Sequence, residues 1–223
     1  YPIVLDNVTR VMALGELWYG IGREYRHFVC LNIGYGVGAG VIIDGKPLYG
    51  AEGMAGEMGH VTMDKDSTVP CKCGNTGCLE ALCSGQSIAR WAQEALRAGR
   101  ASSIGDACDG KIDMVTAEDV AKAAEAGDAL GREVLLRAAE YGGIAVSTMI
   151  NLFNPEAVVL GGGVMRSGDL FLEALKKTAE KRVLPRHAGR VSILPVTHGE
   201  NATVMGSVSL ILHEVLNLSY APG

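Results

Sequence analysis

The chain has 223 residues, 48% of them hydrophobic, 20% charged and 5% aromatic, with 30 glycines and a net charge of −5. There is enough apolar material for a sizeable core, and a glycine-rich aliphatic chain with few aromatics favours α/β layering over an all-β sandwich. The acidic balance makes the chain a poor holder of DNA by itself. No apolar run reaches the length of a membrane span, and YPIVLDNVTR lacks the basic start and apolar stretch of a secretory leader, so a cytoplasmic location is expected. The first residues enter structure already under way without an initiating Met, so a fragment of a longer protein is expected.

In chain order, VTRVMALGELWYGIG (8–22) carries Val8, Val11, Met12, Leu14, Leu17 and Trp18 at helical spacing, with Asp6 and Asn7 as N-cap candidates. HFVCLNIG (27–34) and GAGVIIDG (38–45) are β-branched runs joined by a glycine-rich turn and read as a hairpin, and Asp44-Gly45 turns into KPLYG. Residues 50–82 read as loop. Helices are predicted over 85–99, over 116–126 with Thr116 as N-cap, and over 128–152, where Asn154-Pro155 ends the pattern. AVVLGGG (157–163) reads as a buried strand ending in three glycines. A helix over 169–182, a strand over 191–196 and a helix over 202–217 complete the chain.

The segment CKCGNTGCLE (71–80) sets Cys71, Cys73 and Cys78 within eight residues. Zinc takes four thiolate or imidazole ligands in a tetrahedron, and His60 is the nearest upstream candidate for the fourth. Gly74 and Gly77 would let the backbone turn between the sulfurs. A reduced surface loop, or one disulfide with a spare thiol, are the alternatives that this spacing disfavours. Cys30, Cys83 and Cys108 read as ordinary buried or half-buried thiols.

The run AGEMGHVTMDKDSTVPCKCGNTGCLEALCSG resembles the signature of the ROK family of repressors, uncharacterised reading frames and sugar kinases. The likeness extends upstream to GYGVGAGVIIDGKPLYG and downstream to NPEAVVLGGGV and HGENATVMGS. It implies an α/β chain of the actin-like ATPase (ribonuclease H-like) fold. Residues 1–16 would be the end of the N-terminal lobe and the start of the first helix. Residues 17–223 would form the C-terminal lobe, with a zinc loop inserted at 57–80. It also implies structural zinc on His60, Cys71, Cys73 and Cys78, and a sugar wall formed by Glu57, His60 and Glu80, with Asn7 beside it. Carboxylates suit sugar hydroxyls because each accepts two hydrogen bonds.

Two departures from the family's kinases bear on activity. Their phosphate turn carries Gly-Thr-Gly; here Gly34, Gly36 and Gly38 surround Tyr35, and a bulky ring replaces a small hydroxyl. Gly161, Gly162 and Gly163 resemble a second, vestigial nucleotide-binding turn. The kinases also carry Glu-Asn-Asp-x-Asn before Ala-Leu-Gly-Glu, and the aspartate is their base. Counting back from Ala13–Glu16 puts Asp6 on the glutamate, Asn7 on the asparagine, Val8 on the base and Arg10 on the second asparagine. Valine accepts no proton; a slip of two residues would bring Asp6 to the base position but break the rest of the match.

The favoured expectation is therefore the effector-binding region of a transcriptional regulator that binds a monosaccharide or sugar phosphate without phosphorylating it. It would meet DNA only through an N-terminal winged helix-turn-helix outside this stretch, and form a homodimer or homotetramer. An ATP-dependent sugar kinase is the alternative, and a structural module with neither activity is a third. No catalytic residue and no membrane contact are expected, and ATP belongs to the kinase alternative.

Overall fold

In the computed structural model of the chain, residues 3–108 and 110–218 are described. α1 (Val8–Tyr19) opens at Asn7, whose side chain accepts the Thr9 N–H. The helix is capped at Gly20, and a one-turn 3-10 segment (Ile21–Arg23) carries the chain onward. The hairpin of β1 (Phe28–Ile33) and β2 (Val37–Ile43) follows. Asp44 and Gly45, both at positive φ (53° and 73°), turn the chain into the short β3 (Lys46–Pro47), as a primed hairpin turn requires.

Within the long loop that follows lies an element the sequence did not suggest, the five-residue α2 (Leu79–Cys83). α3 (Gly85–Arg97) starts at a Ser84 cap. It is followed by the unanticipated α4 (Ser103–Ala107) and by α5 (Ala117–Glu125), whose N-terminus is a capping box of Thr116 and Asp119. The 25-residue α6 (Ala129–Phe153) ends where Asn154 turns left-handed at φ 46°. β4 (Ala157–Gly161), α7 (Asp169–Arg182), β5 (Ser192–Pro195) and α8 (Ala202–Leu218) complete the order.

The sheet order is β3-β2-β1-β4-β5. β1 pairs antiparallel with β2 and parallel with β4, which in turn pairs parallel with β5. Alternation along β1 divides the core between the faces. Val29, Leu31 and Ile33 pack with residues of α2, α3, α5, α6 and α7. Phe28 and Cys30 pack on the other face with Met12 and Ala13 of α1. α8 lies against the outer side of α1. The two helices approach backbone to backbone at Gly15 and Gly206: a Cβ at Gly206 would stand 2.1 Å from the Val11 carbonyl oxygen. Glu16, 1% exposed, fixes the end of α1 by accepting hydrogen bonds from the Thr197 N–H (2.7 Å), the Thr197 hydroxyl (2.6 Å) and the Ile21 N–H (3.3 Å). No helix among the described residues is long and apolar enough to cross a membrane.

Candidate metal centre and ligand cleft

The cysteine loop folds into a knuckle. The Cys71 N–H bonds to the Asn75 carbonyl (2.8 Å) and the Gly74 N–H to the Cys71 carbonyl (3.0 Å). Gly74 and Gly77 both take positive φ (96° and 66°), so the tight turning predicted for them is present. At Gly77 any side chain would also strike the Asp64 carbonyl oxygen, 2.0 Å from a built Cβ. The loop brings His60, Cys71, Cys73 and Cys78 together, with one donor atom from each within 4.8 Å of the others. His60 Nδ1 is 3.5 Å from Cys71 Sγ, and the Cys73 and Cys78 sulfurs are 3.7 Å apart. Among the described residues the cysteines form no disulfide. Burial, followed by the adjoining Cys73 and Cys71 thiols, pushes Cys78 up to about 12, while hydrogen bonding from the Asn75 backbone pulls Cys73 down. Thiols that crowd one another in this way ionise together when a cation shares them, and the set can hold a metal ion.

The carboxylates of the expected sugar wall come from two elements on either side of that knuckle. Glu57 precedes a 3-10 turn over Met58–His60, and its Oε2 lies 3.9 Å from His60 Nε2. The two ring nitrogens of His60 thus face different ways, Nδ1 to the sulfurs and Nε2 to a carboxylate. A metal-ligating histidine is commonly oriented by such an outer partner. Asn7 Nδ2 reaches Glu57 Oε1 at 3.5 Å. Glu80 sits in the first turn of α2, two residues after Cys78, and its Oε2 accepts the Val37 N–H at 3.0 Å. Gly36 and Gly59 make room for it: a Cβ at Gly36 would be 2.7 Å from Glu80 Oε2, and one at Gly59 3.5 Å from Glu80 Cβ. Asn7, Glu57 and His60 form one contiguous group, and Glu80 joins it across Gly59.

Val8 occupies the first position of α1 and is 52% exposed. Asp6 does not replace the missing carboxylate there. Its side chain is 8% exposed, pairs with Arg10 Nη1 at 2.5 Å, and accepts the Asn7 N–H at 2.7 Å. Arg10 in turn donates to the Gly53 carbonyl (2.6 Å) and lies 4.7 Å from the centre of the Tyr49 ring. The slip that would make Asp6 a base is thus opposed by a buried ion pair that turns its carboxylate toward the 49–53 loop.

The six glycines anticipated at nucleotide turns separate into two groups. Gly34 and Gly163 line a cleft of about 1080 Å³, together with Tyr35, Gln86, Thr116 and Lys122. The other four do not line it, and each has close neighbours where a side chain would stand. A Cβ at Gly36 would meet Glu80; one at Gly38 would stand 3.1 Å from the Thr9 side chain; one at Gly161 would meet Met12 and Val196; and one at Gly162, at φ 96°, would meet the Ile33 carbonyl. Tyr35 is 74% exposed at the cleft, and Lys72 Nζ stands 4.8 Å from its ring centre while donating to Gln86 Oε1 at 2.9 Å. Sequence reasoning missed Lys72 because its neighbours are remote in the chain. It also missed the wall formed by α5 and by the 3-10 turn over Gly163–Ser167.

A mixed five-stranded sheet, with an antiparallel hairpin beside parallel strands and helices on both faces, defines an α/β chain of the actin-like ATPase fold, here carrying a knuckle of one histidine and three cysteines. The profile of the ROK family matches residues 1–214, and the chain belongs to that family. It is 39% identical over 210 residues to a glucokinase of Halalkalibacterium halodurans, covering 94% of this chain and 63% of that protein. It is 33% identical over 218 residues to a xylose repressor of Caldicellulosiruptor bescii, covering 97% of this chain and 53% of the repressor. The chain thus spans between about half and two thirds of these relatives' length. Among solved structures it superposes on a ROK glucokinase from Streptomyces griseus in complex with glucose and AMPPNP with a TM-score of 0.85 and 28% identity, covering 94% of this chain and 68% of that one. It superposes on a ROK transcriptional regulator homologous to the E. coli MLC protein with a TM-score of 0.78 and 29% identity, covering 97% of this chain and 55% of the regulator.

Proposed function

We propose that this chain is the sugar-sensing, effector-binding region of a ROK transcriptional regulator, and that it binds a monosaccharide without phosphorylating it. The observation that carries this reading is Val8 at the base position, combined with the Asp6–Arg10 pair that withholds the nearest aspartate. Phosphoryl transfer to a hydroxyl needs a proton acceptor at the attacking oxygen and ordered phosphate donors. Valine supplies no acceptor, and loss of a positioned base costs on the order of 10²–10⁴ in rate. Binding needs only hydrogen-bond partners for the hydroxyls, and Asn7, Glu57, His60 and Glu80 offer them. DNA contact would fall to an N-terminal helix-turn-helix outside this stretch, and a homodimer or homotetramer is the assembly we assign.

The metal we assign to His60, Cys71, Cys73 and Cys78 is zinc. Tetrahedral bonds of about 2.3 Å put neighbouring sulfurs about 3.8 Å apart, close to the Cys73–Cys78 separation of 3.7 Å. Its role is structural: it supplies a rigid cross-link. The chain's own residues then do the recognition. His60 presents Nε2 toward Glu57, and α2, anchored at Cys78, presents Glu80 beside the turn at Val37.

The kinase reading has support of its own in the identity to glucokinases and in the open cleft at Gly34 and Gly163. The two readings separate in one experiment. A sugar that raises the melting temperature of the full-length protein by mass action, loses that effect in Glu80→Ala, and yields no sugar phosphate with ATP, supports the sensor. ATP-dependent formation of sugar phosphate at ordinary kinase rates supports the enzyme.

A further inference from the structure

Two loops meet at the end of the sheet remote from the cleft. One leads into β4 and the other into β5, and between them lies a depression of about 440 Å³ lined by Asn154, Glu156, Arg186, His187 and Arg190. The cleft, by contrast, is lined by Gly34 and Gly163, which follow the far ends of the parallel strands β1 and β4. The Ser192 N–H bonds the Glu156 carbonyl (3.1 Å) and holds the loops side by side, while the Arg190 N–H closes a turn on the His187 carbonyl (3.1 Å). The donors gathered here are unspent. Arg182, at the end of α7, lies 3.8 Å from Glu140, but neither Arg186 nor Arg190 has a carboxylate within ion-pair reach among the described residues. His187 is only 8% exposed, yet neither of its ring nitrogens bonds a described residue, and the Asn154 side-chain amide is likewise unbonded. A polar side chain so far withdrawn from water ordinarily has a partner, and the open side of His187 is this depression.

We infer that the depression is a binding site for inorganic phosphate, with Arg186, Arg190, His187 and Asn154 donating to its oxygens and Glu156 accepting its hydroxyl. Guanidinium forks match the spacing of phosphate oxygens. Glu156 then sets which anion fits. Its Oε2 accepts the N–H groups of His27 (2.9 Å) and Arg26 (2.7 Å), which hold the carboxyl below its usual range. It is therefore ionised at neutral pH and can only accept. Its Oε1 bonds no described residue, and the Arg26 guanidinium is taken by Asp44 at 2.7 Å. A carboxylate among donors admits an anion that brings a proton to share. Phosphate at pH 7 carries a hydroxyl, whereas sulfate, of like size and charge, carries none. The bound ion would cross-link the loops that lead into β4 and β5. The site stands apart from the sugar wall and does not depend on the function proposed for it.

The test titrates the full-length protein with sodium phosphate and with sodium sulfate by calorimetry, in chloride buffer at pH 7 and constant ionic strength. Phosphate should bind saturably and raise the melting temperature by mass action. Sulfate should bind at least about tenfold more weakly, since it leaves Glu156 facing an oxygen with no hydrogen to give. Arg186→Gln combined with Arg190→Gln, both at exposed positions, should weaken phosphate at least about tenfold and leave the melting temperature without phosphate unchanged. Glu156→Gln keeps an oxygen for the Arg26 and His27 N–H groups and can turn an amide N–H toward the anion, so it should abolish or reverse the preference for phosphate over sulfate. Absence of phosphate binding overturns the inference. So does binding that survives the double arginine variant, which would place the ion elsewhere, in the cleft. Sulfate binding as tight as phosphate, or a preference that Glu156→Gln leaves intact, overturns it as well.

Discussion

At the scale of single residues, the decisive feature is a substitution that is silent for folding. Val8 is exposed at the first turn of α1, where an aspartate would fit and would favour the helix dipole. Nothing in packing demands valine, so on the function proposed above its cost falls on chemistry. Arg10 is the converse. It fills a position where the family's kinases carry a second asparagine, and it ties Asp6 to the 49–53 loop with both side chains less than a tenth exposed. Breaking a buried pair leaves an uncompensated charge, so Arg10→Ala should destabilise the chain by about 3–5 kcal/mol in urea unfolding. A change near zero would mean that Asp6 is free to turn toward the site after all. Val8, Arg10 and Tyr35 were legible by register against a dense motif. Lys72 was not, because its contacts with Tyr35 and Gln86 are set by how the knuckle folds back over the hairpin, and no local pattern encodes that.

At the scale of elements, periodicity and caps fixed the long helices. α5 and α6 carry Thr116 and Asp128 at their caps and several turns of pattern. α2 escaped notice because it is little more than one turn long and begins at Cys78, a poor capping residue; its position comes from the knuckle. The Asp128 cap gives a test with a pH dependence. Burial would raise this carboxyl, but the Gly131 and Ser103 N–H groups and the Ser102 and Ser103 hydroxyls outweigh it and hold it below the usual range. A depressed folded value means that the stabilisation is complete above the unfolded value of about 3.9 and is lost as pH falls through the folded one. Asp128→Ala should cost about 1 kcal/mol at pH 7, with the difference from the unmodified chain vanishing in strong acid. An equal difference at both ends of the pH range would contradict this. Gly206→Ala should cost about 1–3 kcal/mol, since its Cβ would meet the Val11 carbonyl and force α1 and α8 apart; an unchanged melting temperature would show that the contact yields freely.

The knuckle gives the third test at this scale. Elemental analysis should find about one zinc per chain. Cys73→Ala should lower that content and lower the melting temperature, because the loop carrying His60 and Glu80 loses its cross-link. Full metal retention in that variant would remove the assignment.

At the scale of the whole molecule, the fold is common to a kinase and a regulator of the family and does not choose between them; the function proposed above rests the choice on a few side chains. In this chain one face of the sheet is closed by α6 and the other by α1, and the cleft opens beside the hairpin turn, α3 and α5. The sheet order was not legible in local pattern, since strand pairing between β1 and β4 joins residues about 130 positions apart, Phe28 with Ala157. The cleft's outer wall was invisible for the same reason. On the function proposed above, a wall of Asn7, Glu57, His60 and Glu80 with Val8 at the base position would give a sensor what it needs: recognition without turnover.

The most direct test of that claim measures binding and turnover in one sample of the full-length protein. A sugar or sugar phosphate is first shown by calorimetry to bind, with binding lost in Glu80→Ala. The same ligand, or its unphosphorylated parent, is then incubated with ATP and magnesium, and sugar phosphate formation is followed by coupled assay. A sensor should show saturable binding with product formation no faster than background. Steady ATP-dependent turnover, at rates expected of a kinase that keeps its base, on the order of 1–100 per second, would contradict that role.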